Sequence, residues 1–231
     1  MNKEKNKKYY TYTLNMTILN ILAIILFIIV SLVVVIIERG DQYIIKPPSL
    51  TLFGLMIIWL IIHEILHGLA FSIFKEVDKK NITFGMYLEK GVFYCMCKQN
   101  ISKKVILTSL LFPFTIIGLI TLIIGMNINN YELVFLSILN ITGSIGDLIM
   151  TIYFLKCPKD IIYLDQDDCT SFTVVSSKYL DNIKVPSIKL VKKGLYDKNK
   201  LQAHDKRKIV ISKLSYICLI IFIILIIITN I

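Results

Sequence analysis

Charge is scarce in this sequence. Only 18% of the 231 residues are Asp, Glu, Lys or Arg, while 55% are hydrophobic and the mean hydropathy is +0.69. The few charges stand in blocks, which leaves long runs with none, and a soluble domain of this size does not need that much apolar surface. Internal repeats and low-complexity linkers are missing too. Cysteine is sparse: Cys95, Cys97, Cys157, Cys169 and Cys218. The first four fall in segments read below as cytoplasmic, so no disulfide framework is expected. Cys95 and Cys97 share one face of a predicted strand. A thiolate metal site there lacks a second Cys pair or a nearby His, so ordinary thiols are the simpler reading. Asp165, Asp167 and Asp168 lack the ligand spacing and Gly turn of a calcium loop, and a solvated acidic turn is expected.

What the chain does have is apolar runs of bilayer length, which takes about 20 helical residues. Five are expected to span, at Leu14–Ile37, Ser49–Phe74, Val105–Met126, Tyr131–Leu155 and Ile209–Ile231. The basic start MNKEKNKK precedes a run too long for a signal peptide, with no small-residue cleavage site, so it reads as a retained helix. Lys and Arg are plentiful at the start, at about 75–104 and in the basic loop 156–208. They are rare at about 38–48 and absent at about 127–130. That alternation predicts a cytoplasmic N-terminus and an external C-terminus, in a multi-pass protein of the cell membrane. The net charge of +10 then reflects topology and anionic lipid. The basic loop lacks interleaved aromatics, so no nucleic-acid partner is expected. The fold expected is an all-α polytopic membrane protein. Residues 1–155 form its core, a short β-hairpin at 82–97 caps it, and 209–231 adds a last helix. The basic loop is too small and polar to bury much of a core alone. The hairpin pairs Ile82–Leu88 with Val92–Cys97 around Glu89, Lys90 and Gly91.

The chain has three histidines, and two of them stand in His63-Glu64-Ile65-Leu66-His67 inside the second span. Residues four apart share a helix face. Two imidazoles at that spacing can bind one Zn²⁺, with Glu64 beside the open position as a base. Ionisable groups in lipid are expensive and usually functional. The one other within the spans, away from their ends, is Asp147, in Asn140-Ile-Thr-Gly-Ser-Ile-Gly-Asp147. Counted from the cytoplasmic span ends, His63, His67 and Asp147 lie level, ~10–16 Å deep. Asp147 is therefore the preferred third ligand. Glu76, Asp78 and Glu89 downstream remain alternatives, as does a purely structural polar cluster. Gly143 and Gly146 are expected to bring the fourth span close to the second. Asn140 shares the Asp147 face and could hold a substrate carbonyl, orient Asp147 or simply pack the helices. Pro113, mid-span, could kink its helix and open a water path. His204 reads as a surface histidine.

This order of HEILHG, a hairpin with FG and YC, a mid-span Pro and then GD resembles the bacterial "putative zincin peptidase" family of small membrane proteins, over about Leu55 to Asp168. More distantly it is similar to the site-2 protease family of intramembrane metalloproteases. That resemblance implies zinc held by His63 and His67, Glu64 as general base, and a later aspartate matched by Asp147. Asp147 is followed here by Leu148, whereas site-2 proteases usually carry Leu-Asp-Gly. The function expected is an intramembrane zinc metalloprotease acting on a membrane-embedded or membrane-adjacent protein or peptide. The alternative is a non-catalytic, metal-binding regulatory membrane protein. A metal transporter fits least, because the outer halves of the spans offer almost no polar path.

Overall fold

The computed structural model describes residues 7–37, 50–87, 92–166 and 170–197. The predicted span 209–231, His204, Cys169, Cys218, the first loop and the hairpin turn with Glu89 lie outside these residues.

The chain enters as strand β1, Lys8–Leu14, and turns at once into helix α1, Met16–Ile37. Asn15 makes the change of conformation, its side chain accepting from the Ile18 amide as a helix N-cap does. α1 is apolar all round and buries little: Ile24, Leu32 and Ile36 are more than half exposed, as lipid-facing residues are. α2, Leu50–Ser72, turns His63, His67, Ala70 and Phe71 inward and leaves Ile58, Ile65 and Leu69 outside. Strands β2, Ile82–Tyr87, and β3, Val92–Cys97, form the expected antiparallel hairpin. β4, Ile101–Ser102, leads into α3, Lys103–Pro113. At Pro113 the helix passes into a π-helical stretch, Phe114–Ile120, then α4, Thr121–Asn127. α5, Tyr131–Gly143, and α6, Ile145–Lys156, follow.

Three helices are long and apolar enough to cross a membrane: Met16–Ile37, Thr51–Ser72 and Lys103–Asn127. α5 and α6 make a fourth crossing if taken as one span bent by 46°. The bend falls at Ser144, whose amide and hydroxyl both return to the Asn140 carbonyl, at 2.9 and 2.8 Å.

The expectation of an all-α protein is wrong. β5, Ile162–Asp165, β6, Ser171–Ser176, and β7, Ile188–Leu195, join β1 and β4 in a five-stranded antiparallel sheet of order β4-β5-β6-β1-β7. The architecture is mixed α and β. The N-terminal strand lies in the middle, with Tyr10 opposite Val174 and Tyr12 opposite Phe172. The strands of the basic loop share their core with other parts of the chain. Tyr12 and Phe172 pack on Tyr153 and Phe154 at the end of α6, with ring centroids 5.0–5.7 Å apart. Such aromatic contacts stabilise beyond the area they bury. The strands β1, β4, β5, β6 and β7 therefore lie on one side of any bilayer the helices cross.

The hairpin docks on α2 one residue past His67. A Cβ at Gly68 would collide with the Phe84 ring, and one at Gly85 with Tyr94. Gly68→Val is expected to push the hairpin off α2 and destabilise the fold by ~1–3 kcal/mol. Protease cleavage within 82–97 should rise severalfold. Unchanged cleavage would mean the hairpin is not seated through Gly68.

Candidate metal centre

His63 and His67 stand one turn apart on the inward face of α2, 9% and 8% exposed. Each ring is held through Nδ1. His63 Nδ1 lies 2.8 Å from Asn140 Oδ1, and Asn140 Nδ2 donates to the Pro113 carbonyl at 3.2 Å. A carbonyl only accepts, so the amide is oriented with Oδ1 towards His63, and His63 Nδ1 must donate. His67 Nδ1 donates to the Ser109 carbonyl at 2.9 Å. Both protons of the neutral rings are thereby placed on Nδ1, and both Nε2 atoms present lone pairs.

Those lone pairs converge. His63 Nε2 and His67 Nε2 are 3.1 Å apart. Asp147 Oδ2 lies 3.3 Å from the first and 3.6 Å from the second. Two lone pairs and a carboxylate this close repel unless a positive charge sits among them. A tetrahedral zinc ion at ~2.0–2.1 Å from each donor spaces its ligands by about 3.3 Å. The donor set and spacing fit that ion. Among the described residues this is the group of three His, Cys, Asp or Glu side chains able to hold a metal.

Residues 56–162 match the family model described as "Putative zincin peptidase".

The zincin match contains His63, Glu64, His67 and Asp147 and leaves out β1, α1, β6 and β7. The family description implies zinc and metallopeptidase chemistry. No curated protein and no solved structure matches the chain.

The His63–His67–Asp147 centre opens on a cavity of about 240 Å³. Glu64 lines it, its carboxylate facing the Cys95 backbone amide on β3. Gly143 and Gly146 line it too, and a Cβ at either would meet nothing within 4 Å. This corrects the expectation that they bring helices together. α5 does pack on α2, but these two glycines keep space open beside Asp147. Pro113 lies in a helix that changes winding, and its carbonyl is used by Asn140. Asn140 itself bonds His63 and the Pro113 carbonyl.

Two of the rival third ligands are engaged elsewhere. Glu76 accepts from the Ser102 amide and hydroxyl, and Asp78 caps the turn Lys79–Asn81. Asp147→Asn is accordingly expected to weaken zinc binding at least tenfold, since a neutral amide oxygen is a poorer donor than a carboxylate. Glu76→Gln and Asp78→Asn should leave zinc unchanged in chelator competition. The reverse pattern would place the third ligand outside the membrane helices.

Asp165 is not the solvated turn residue expected. It lines the cavity and accepts from Tyr163 Oη at 2.5 Å and from the Cys97 amide at 2.8 Å, tying β5 to β3. Burial pushes its pKa up to about 6, against the pull of both hydrogen bonds. Burial likewise raises the thiols, Cys97 to about 12 and Cys95 further with help from Glu64 and Asp165. Both stay protonated near neutral pH, as ordinary buried thiols do. Sequence reasoning missed Asp165 and the Ser109 carbonyl. The first looked like part of an acidic cluster, and the second is a backbone atom.

Proposed function

We propose that this chain is an intramembrane zinc metallopeptidase that hydrolyses peptide bonds of a membrane-embedded or membrane-adjacent protein. The observation that carries the reading is the convergence of His63 Nε2, His67 Nε2 and Asp147 Oδ2 within hydrophobic helices, beside a cavity that Glu64 lines. His63, His67 and Asp147 would hold the ion. Zinc there supplies Lewis acidity, polarising a carbonyl and acidifying water.

The chain's own residues do the rest. Glu64 accepts the proton of the attacking water on its carboxylate and returns it to the leaving amine. Asn140 and the Ser109 carbonyl keep both imidazoles from turning. β3 pairs with β2 on one side only, and Phe93 and Cys95 reach the cavity from it. A substrate helix bonds its carbonyls internally and must unwind before cleavage. That strand wall, where the Cys95 and Cys97 amides face Glu64 and Asp165, gives the extended segment a surface to lie along. The five-stranded sheet joins β1 to β5, β6 and β7, and the Cys97–Asp165 bond ties the hairpin to β5, which supports a reading in which β1, the hairpin and the basic loop all face the cytoplasm of a multi-pass cell-membrane protein.

The test compares membrane proteomes of cells carrying wild-type and Glu64→Gln chains. Uncleaved membrane proteins should accumulate with the variant, in cells where zinc content per chain is unchanged. Identical proteomes would favour the non-catalytic, metal-dependent regulatory alternative, which needs the histidines and has no use for Glu64.

A further inference from the structure

The atoms that orient the two imidazoles trace back to a single residue. His67 Nδ1 bonds the carbonyl of Ser109 in α3. In an α-helix that carbonyl belongs to the amide four residues on. Four residues on stands Pro113, which has no N–H. The next amide, Phe114, bonds Leu111 instead. The Ser109 Oγ sits farther from the ring nitrogen, at 3.4 Å, and at 3.4 Å from the His67 carbonyl. The other imidazole depends on the same place through Asn140, whose Nδ2 is anchored on the Pro113 carbonyl. Ser109 and Pro113 are both buried.

We propose that Pro113 is a positioning residue for the metal ligands: by withholding its N–H it leaves the Ser109 carbonyl to His67, and its own carbonyl fixes Asn140 and through it His63. This rests on the zinc reading above and adds to it the reason for the mid-span proline. A carbonyl without its helical donor is costly in lipid unless another donor reaches it. Here the donor is a ligand ring, and the bond settles which nitrogen faces the ion. Alanine at 113 would restore an amide able to reclaim Ser109, and His67 would lose the partner that places its proton on Nδ1.

The experiment uses the full chain in lipid nanodiscs, with zinc affinity read by chelator competition. Pro113→Ala is expected to weaken zinc by ~10–100-fold, the usual effect of removing a hydrogen-bond partner from a ligand. Nitrogen-15 spectra of histidine-labelled, zinc-free protein should show one ring losing its single Nδ1–H tautomer. The decisive comparison puts the α-hydroxy analogue of alanine at 113, an ester link without an N–H. It should restore affinity to within about threefold of wild type and recover the tautomer. Wild-type affinity in Pro113→Ala overturns the proposal, and so does an ester variant as weak as alanine, since the ring shape would then matter. If Pro113→Ala does not fold, α-hydroxyleucine at 110 serves, because it turns the Ser109 carbonyl into a poorer ester acceptor. Zinc weakened severalfold supports the proposal, and unchanged zinc overturns it. A wild-type chain that binds no zinc would instead overturn the metallopeptidase reading itself.

Discussion

Glu64→Gln is expected to keep one zinc per chain and lose peptide-bond hydrolysis by ~10²–10⁴-fold, the contribution of a positioned general base. Glutamine has the same shape, and its amide oxygen can still accept from the Cys95 amide that faces Glu64, so the cavity wall should not move. What it cannot do is take a proton from water at neutral pH. His63, His67 and Asp147 are untouched, and so are the Asn140 and Ser109 contacts that orient the rings. Metal content and turnover should therefore separate. Zinc is counted by elemental analysis of purified chain, and turnover is followed on a substrate taken from the accumulating membrane proteins. A Glu64→Gln chain that cleaves at the wild-type rate would remove the mechanism while leaving the metal site in place.

His67→Ala is expected to have the opposite signature, losing metal and activity together. His63 and Asp147 would remain, and two protein ligands hold zinc poorly. The substitution also leaves the Ser109 carbonyl without its partner and the Asp147 carboxylate with one imidazole neighbour fewer. A ligand present at 100 times its Kd stabilises a fold by ~2.7 kcal/mol. Wild-type protein should therefore melt at higher temperature with zinc than after chelation, and His67→Ala should show no such difference. Full zinc occupancy in His67→Ala would sink the site. Together the two variants assign separate roles to neighbours on one helix turn, a base that the metal does not need and a ligand that it does.

The sheet shows why much of the fold was hidden. Lys-Tyr-Tyr-Thr-Tyr-Thr-Leu alternates as a strand does, yet it stands between a basic start and an apolar span, and no strand is expected there. Its partners lie about 160 residues away: Thr11 shares a hydroxyl contact with Thr173 at 2.9 Å. Register of that kind depends on side chains from both strands and on the aromatic end of α6 beneath them, and no local pattern encodes it. Asp165 was misread for the same reason, since its partner at Cys97 belongs to a different strand.

The sequence by itself determined the local features. In lipid every backbone group must bond within its own segment, so a long apolar run is already a helix. The 3.6-residue period then puts His63 and His67 on one face whatever surrounds them. Two antiparallel strands joined by a short turn at 82–97 follow equally from nearest neighbours. Even the loose carbonyl at Ser109 was legible in principle, because a proline four residues later takes away its donor. Tertiary structure alone decided the rest: that Asp147 meets both Nε2 atoms, that Gly143 and Gly146 open space where close packing was expected, and that β1 completes a sheet over the site. These depend on which surfaces meet in three dimensions, and segments far apart in the chain settle that only when they fold together.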